Sequence, residues 1–181
     1  MSDLATAARL RQASSQLPAS WYCDSRVFEA ERRLLFDGPR DIARDLAGLT
    51  LGELDFTGYR LGGVDLHPCR YNWKTFIEVY LEDYHVGPFH PGLGQFVNAD
   101  DLKWEFGDWY SVQTVGINQA LGKPGTAAYQ KWHEAVLRYN NGEMPTQGAI
   151  WLTYYPNIMV EWYPNVLVVS TFGYHSTMMF G

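Results

Sequence analysis

His85 and His90 place two imidazoles five residues apart, with the Glu82 carboxylate three residues before the first. Residues three apart share a face of an α-helix, so Glu82 and His85 can sit side by side on one helix. Residues five apart are turned by about 140° on a straight helix, so His85 and His90 could not reach one point from it. Gly87-Pro88 lies between them and resolves this. Proline cannot continue the hydrogen-bond ladder, and it pushes its predecessor out of the α region. The helix is expected to end near Val86, leaving His90 to swing back toward His85. Two neutral imidazoles and one carboxylate on a single face form the donor set of a non-haem Fe(II) site. A capped helix end with two half-buried rings would use the same residue types, so the surrounding sequence has to decide.

The elements that position these groups follow from pattern and punctuation. Trp73–Val86 is expected to be the ligand-bearing helix, with Asn72 as cap, Trp73 packed and Lys74 in solvent. Glu78 lies two turns before His85 on nearly the same face, where it could support that ring or stand exposed. Tyr80 and Tyr84 read as packing groups. Upstream, Ser2 or Asp3 caps a helix to about Gln16, Asp24 caps Arg26–Phe36, and Asp41–Leu46 forms a short helix or turn. Thr57–Arg70 reads as a strand or hairpin around Gly62-Gly63. Downstream of Pro91-Gly92 a loop leads into strands at Leu102–Glu105 and Trp109–Asn118. Thr126 caps a helix over Ala127–Tyr139, which Asn140-Asn141-Gly142 closes. Ala149–Tyr155, Met159–Tyr163 and Val166–His175 are β-branched and aromatic, with turns at Pro156-Asn157 and Pro164-Asn165. Strand runs with an early and an inserted helix give an α+β fold, a curved antiparallel sheet packed on helices.

The run from Asn72-Trp73-Lys74 through Glu78, Tyr80 and Glu82 to His85 and His90 resembles the catalytic α subunit of the Rieske non-haem iron oxygenases, the aromatic-ring-hydroxylating family. Its acids and Tyr80 look most like the branch acting on quaternary amines. The likeness extends more weakly to Leu17–Tyr22 and to the C-terminal aromatic strands. It implies a helix-grip (START-like) fold, here incomplete, with His85 and His90 as ligands of mononuclear Fe(II). It also implies that Glu82 bridges electrons from the Rieske centre of a neighbouring subunit. The family's activity is hydroxylation of an aromatic or other small organic substrate with O2. Electrons come from a reductase or ferredoxin, and the family assembles as homo-oligomers, often trimers.

Two of that family's parts are missing from this sequence. A Rieske [2Fe-2S] cluster needs two Cys and two His. The chain has only Cys23, followed at the matching offsets by Ser25 and Arg26, and Cys69, followed by Tyr71 and Asn72. The cluster is therefore not expected to bind. The third iron ligand, an Asp far beyond the histidines in the family, has no match among the acids Asp100, Asp101, Glu105, Asp108, Glu134, Glu143 and Glu161. The expectation is a lead-in over residues 1–40, a lost Rieske domain joined within Leu34–Arg40, and a truncated catalytic domain over 41–181. Such a chain would not turn over alone. A metal-poor helix-grip module for ligand binding or dimerisation is the rival reading, and a damaged gene product without a role is a third.

Composition narrows the class further. With 46% hydrophobic residues, 15% aromatics and seven Trp, the chain can bury a sizeable core. A net charge of −6 without like-charge blocks argues against nucleic acid or an anionic membrane as partner. No signal-peptide core or membrane-length apolar run is present, and two cysteines make no disulfide framework, which points to the cytoplasm. His67 before Pro68 reads as surface, His133 as an amphipathic helix position, and His175 as a core hydrogen-bonding group.

Overall fold

A computed structural model describes residues 18–37, 40–49, 54, 56–118, 127–164 and 166–173. The expected helix before Gln16, Thr126, Asn165 and His175 lie outside the described residues. The chain divides into two compact units, Met1–Gly38 and Pro39–Gly181.

In the first unit a 3-10 turn at Ala19–Tyr22 precedes helix α1, Ser25–Glu31. Asp24 caps it by accepting from the Arg26 N–H at 2.8 Å, as its position before the helical run implies. The Arg26 guanidinium, hydrogen-bonded to the same carboxylate, holds the Asp24 acid down to about 2. The last turn widens to π geometry over Arg32–Phe36.

The second unit is built on one sheet. Strands β1 (Val97–Phe106), β2 (Tyr110–Ile117), β3 (Ala149–Tyr154), β4 (Ile158–Tyr163) and β5 (Val166–Thr171) pair in sequence order, every pair antiparallel. With its helices this is the expected α+β architecture. Strand β3 is buried at all six positions, where simple alternation would leave every second side chain wet. The reason is cover on both faces. Ile150, Leu152 and Tyr154 join Tyr110, Val112, Val160 and Trp162 in one cluster, with Leu46, Leu49 and Leu54 packed against it. Ala149 and Trp151 point the other way, into a cluster with Val86, Val97 and Val115, flanked by Leu93 and Phe96.

Helix α2, Ile42–Asp45, is capped by Asp41, and Tyr154 Oη donates to Asp45 Oδ2 at 2.8 Å, fastening this segment to β3. The helix over Ala127–Tyr139, α6, has the bounds read from the sequence. Its end turns through Asn141 and Gly142, both at positive φ, with the Gly142 N–H bonded back to the Leu137 carbonyl.

Three expectations are corrected. Residues 57–70 contain no strand, and Leu61, Val64 and Leu66 stand 84%, 72% and 91% exposed. An isolated hairpin needs an apolar face to bury, and this segment packs none of these residues. Residues after Pro91-Gly92 are not a loop but helix α5, Pro91–Phe96, with proline at its first position, where no amide hydrogen is needed. Lys74 is not in solvent. It is 6% exposed, with Nζ 5.2 Å from the Trp73 ring centre, a cation–π contact.

Candidate functional site

The histidines are held by three short helices rather than by one kinked helix. Helix α3 runs Trp73–Tyr80, capped by the Asn72 side chain on the Lys74 N–H at 2.9 Å. Trp73 and Ile77, four apart and 7% and 3% exposed, are its buried face. The expected extension to Val86 does not occur, because side chains take the backbone groups it would need. The Gln113 amide donates to the Tyr80 carbonyl at 2.5 Å, and Glu82 Oε2 accepts the His85 N–H at 3.1 Å. Glu82 and Asp83 would oppose the dipole at a helix C-terminus, but they suit the N-terminus of the helix that follows.

That helix is α4, Val86–Phe89, with His85 as its N-cap. Gly87-Pro88 was expected to end a helix, and it falls inside the first turn of one. There the missing proline N–H has no intrahelical partner to lose, and Gly87 lacks the Cβ that Pro88 would crowd. His90 then serves both as the C-cap of α4 and as the N-cap of α5.

The two rings are brought together all the same. Their centroids lie 5.3 Å apart with planes at 77°. Glu82 Oε1 lies against His85 Nδ1 at ion-pairing range, though not aligned as a hydrogen bond. Both side chains are 20% exposed. A carboxylate at Nδ1 favours the tautomer whose Nε2 lone pair is free for a metal.

The rings open onto a cavity of about 400 Å³, within the ~300–1,000 Å³ of small-molecule sites. Val79, Val86, Leu93 and Trp151 give it apolar walls. Its polar lining is Glu82, His85 and His90 on one segment, with Tyr80, Glu161 and Tyr163 from α3 and β4. Glu78 is exposed and does not line the cavity, and its charge acts instead on the Tyr155 phenol. Tyr84 is 79% exposed and packs little, while Tyr80 is a wall residue rather than a packing group alone.

Sequence reasoning considered Glu161 only as a failed match for a metal ligand. In the structure it is the hub of a hydrogen-bonded chain. Tyr80 Oη donates to its Oε1 at 3.0 Å, Tyr163 Oη donates to its Oε2 at 2.8 Å, and Trp151 Nε1 donates to Tyr163 Oη at 3.2 Å. Burial, reinforced by the Glu161 charge, pushes the Tyr80 phenol up to about 12 and the Tyr163 phenol up as well. Both phenols therefore stay protonated donors around neutral pH. A signal was present: Glu161 is an acid set among Met159, Val160, Trp162 and Tyr163, and a carboxylate within an apolar strand requires partners.

The donor set fits part of an Fe(II) site. Two facing imidazoles are available, but among the described residues no three His, Cys, Asp or Glu side chains converge as a metal-binding group. Glu161 shares the cavity with the histidines without completing such a group. Cys23 and Cys69 are free thiols, the first exposed and the second half-buried. Among the described residues no helix is long and apolar enough to cross a membrane.

The description of the ring-hydroxylating α subunit, catalytic domain, matches residues 53–173. This chain belongs to that family. Its curated relatives include a putrescine 2-hydroxylase of Ralstonia nicotianae, 75% identical over 139 residues, covering 76% of this chain and 38% of the relative. Another, from Bordetella bronchiseptica and also called putrescine 2-hydroxylase, is 61% identical over 139 residues, covering 76% of this chain and 32% of the relative. The chain thus spans about a third of the length of the curated relatives it matches. No solved structure matches it. Family membership is the one the His85–His90 segment suggested, and the α+β sheet is consistent with it.

Proposed function

We propose that this chain is the substrate-binding and iron-binding part of a non-haem oxygenase acting on a small aliphatic amine. His85 and His90 hold mononuclear Fe(II), and a carboxylate or water completes the coordination. Glu82 orients His85 and, in the assembled oxygenase, offers its carboxylate to the electron donor across a subunit interface. Residues 1–40 are a lead-in, and 41–181 carry the iron domain. The iron, when bound, supplies the redox chemistry that places oxygen from O2 on the substrate. Val79, Leu93 and Trp151 give that space apolar walls, and Tyr80 and Tyr163 remain neutral donors beside Glu161.

The observation that carries this reading is the pair of imidazoles on the cavity wall, edge to face with ring centres 5.3 Å apart. The relatives' name favours an aliphatic diamine such as putrescine over an aromatic ring as substrate. Electrons from a reductase or ferredoxin need a Rieske centre, and the chain's two cysteines do not build one. Turnover therefore draws on a Rieske centre from outside these 181 residues, whether in the same polypeptide or in another.

Anaerobic loading with Fe(II), followed by desalting and metal analysis, tests the proposal. Iron retained in proportion to chain is expected. A chain that retains none favours the metal-poor binding module instead.

A further inference from the structure

We infer that Glu161 is the anchor for a primary ammonium group of the substrate, and so determines specificity for amines. The inference deepens the proposed function and rests on it for the class of substrate, but its grounds are separate. Glu161 lies on the wall of the 400 Å³ cavity, midway along β4, opposite Trp151 in the β3–β4 register. Its two oxygens receive one phenol donor each, from Tyr80 and Tyr163. A carboxylate offers about four lone-pair directions, so acceptor capacity remains. Among the described residues, no Lys or Arg is ion-paired with it. It also does not converge with His85 and His90 into a metal-binding group.

A half-buried carboxylate on an apolar cavity wall is costly unless a cation meets it. The phenols hold it in place without neutralising it. The cation that fits is one that enters the cavity, donates hydrogen bonds in more than one direction and tolerates aromatic walls. An alkylammonium does this: its N–H groups donate to the free lone pairs, and its charge is attracted to the faces of Trp151, Tyr80 and Tyr163. Its alkyl chain then lies along Val79 and Leu93 in the space that His85 and His90 also line. A neutral alcohol of the same length fills the same volume but brings no charge.

The test is calorimetric titration of the full chain with 1,4-diaminobutane, 1-aminobutane and 1,4-butanediol. Wild type is expected to bind both amines at least about tenfold tighter than the diol. Glu161→Gln is expected to weaken the amines by about 10- to 100-fold and leave the diol unchanged, and Glu161→Asp to restore part of the loss. Circular dichroism establishes that each variant is folded. If the Gln variant does not fold, the amine–diol comparison in wild type and Glu161→Asp decides. No amine preference in wild type, an unchanged Gln variant, or equal loss of amine and diol would overturn the inference. Iron loading is measured on the same samples. Wild type that holds iron yet shows no amine preference sinks this inference alone. A Glu161-dependent preference in a chain that holds no iron supports it while the metal reading fails.

Discussion

The His85→Ala/His90→Ala double variant is expected to lose Fe(II) affinity by well over a hundredfold and to remain folded. Removing only a partner that orients a ligand histidine costs ~10–100-fold in metal affinity, and this variant removes both imidazoles themselves. The cost to the fold is small for local reasons. His90 is exposed, and His85 caps α4 without any side-chain bond to the helix. A stability change within about 1 kcal/mol follows, since no core contact is lost. Loading wild type and variant side by side and assaying iron per chain checks the prediction. Equal, low iron in both would mean that the imidazoles face each other without serving a metal.

Ile150→Ala is expected to lower stability by about 3 kcal/mol, within the ~2–5 kcal/mol typical of buried large-to-small changes. Ile150 is 0% exposed, sits between Thr114 and Trp162 in neighbouring strands, and is central to the cluster under Leu46, Leu49 and Leu54. Its side chain leaves a void that a sheet covered on both faces cannot easily collapse. Against a total of ~5–15 kcal/mol for a domain, that is a large share. Urea unfolding checks it through a lower midpoint at unchanged slope. Leu61→Ala, at a residue 84% exposed, serves as the control and should shift by no more than ~0.5 kcal/mol. Similar midpoints for the two variants would contradict the two-faced sheet.

Local chemistry made much of this readable in advance. Asn72, Asp24 and Asp41 cap where side-chain oxygen precedes a helical run, and α6 stops where Asn141 and Gly142 take positive φ. The β-branched and aromatic strands lie where their turn residues bracket them. What could not be read depended on groups distant in sequence. Helix α3 ends at Tyr80 because Gln113, 33 residues away, claims its carbonyl. Lys74 is buried against Trp73, which no periodicity reveals. The 57–70 segment alternates like a strand but pairs with no strand among the described residues.

The site divides in the same way. The imidazole pair was visible as a spacing, and the rings do meet, although the Gly87-Pro88 pair starts a helix instead of breaking one. Glu161 was passed over because its meaning depends on Tyr80, 81 residues earlier, and on the sheet register that sets it across from Trp151. Glu78, two turns before His85 in sequence, fell outside the cavity once the helix stopped short.

X-ray absorption at the iron edge of the anaerobically loaded chain tests the core proposition most directly. Ring scattering from two imidazoles around iron in wild type, absent from the double variant, is the predicted result. Iron surrounded by oxygen donors alone would contradict it.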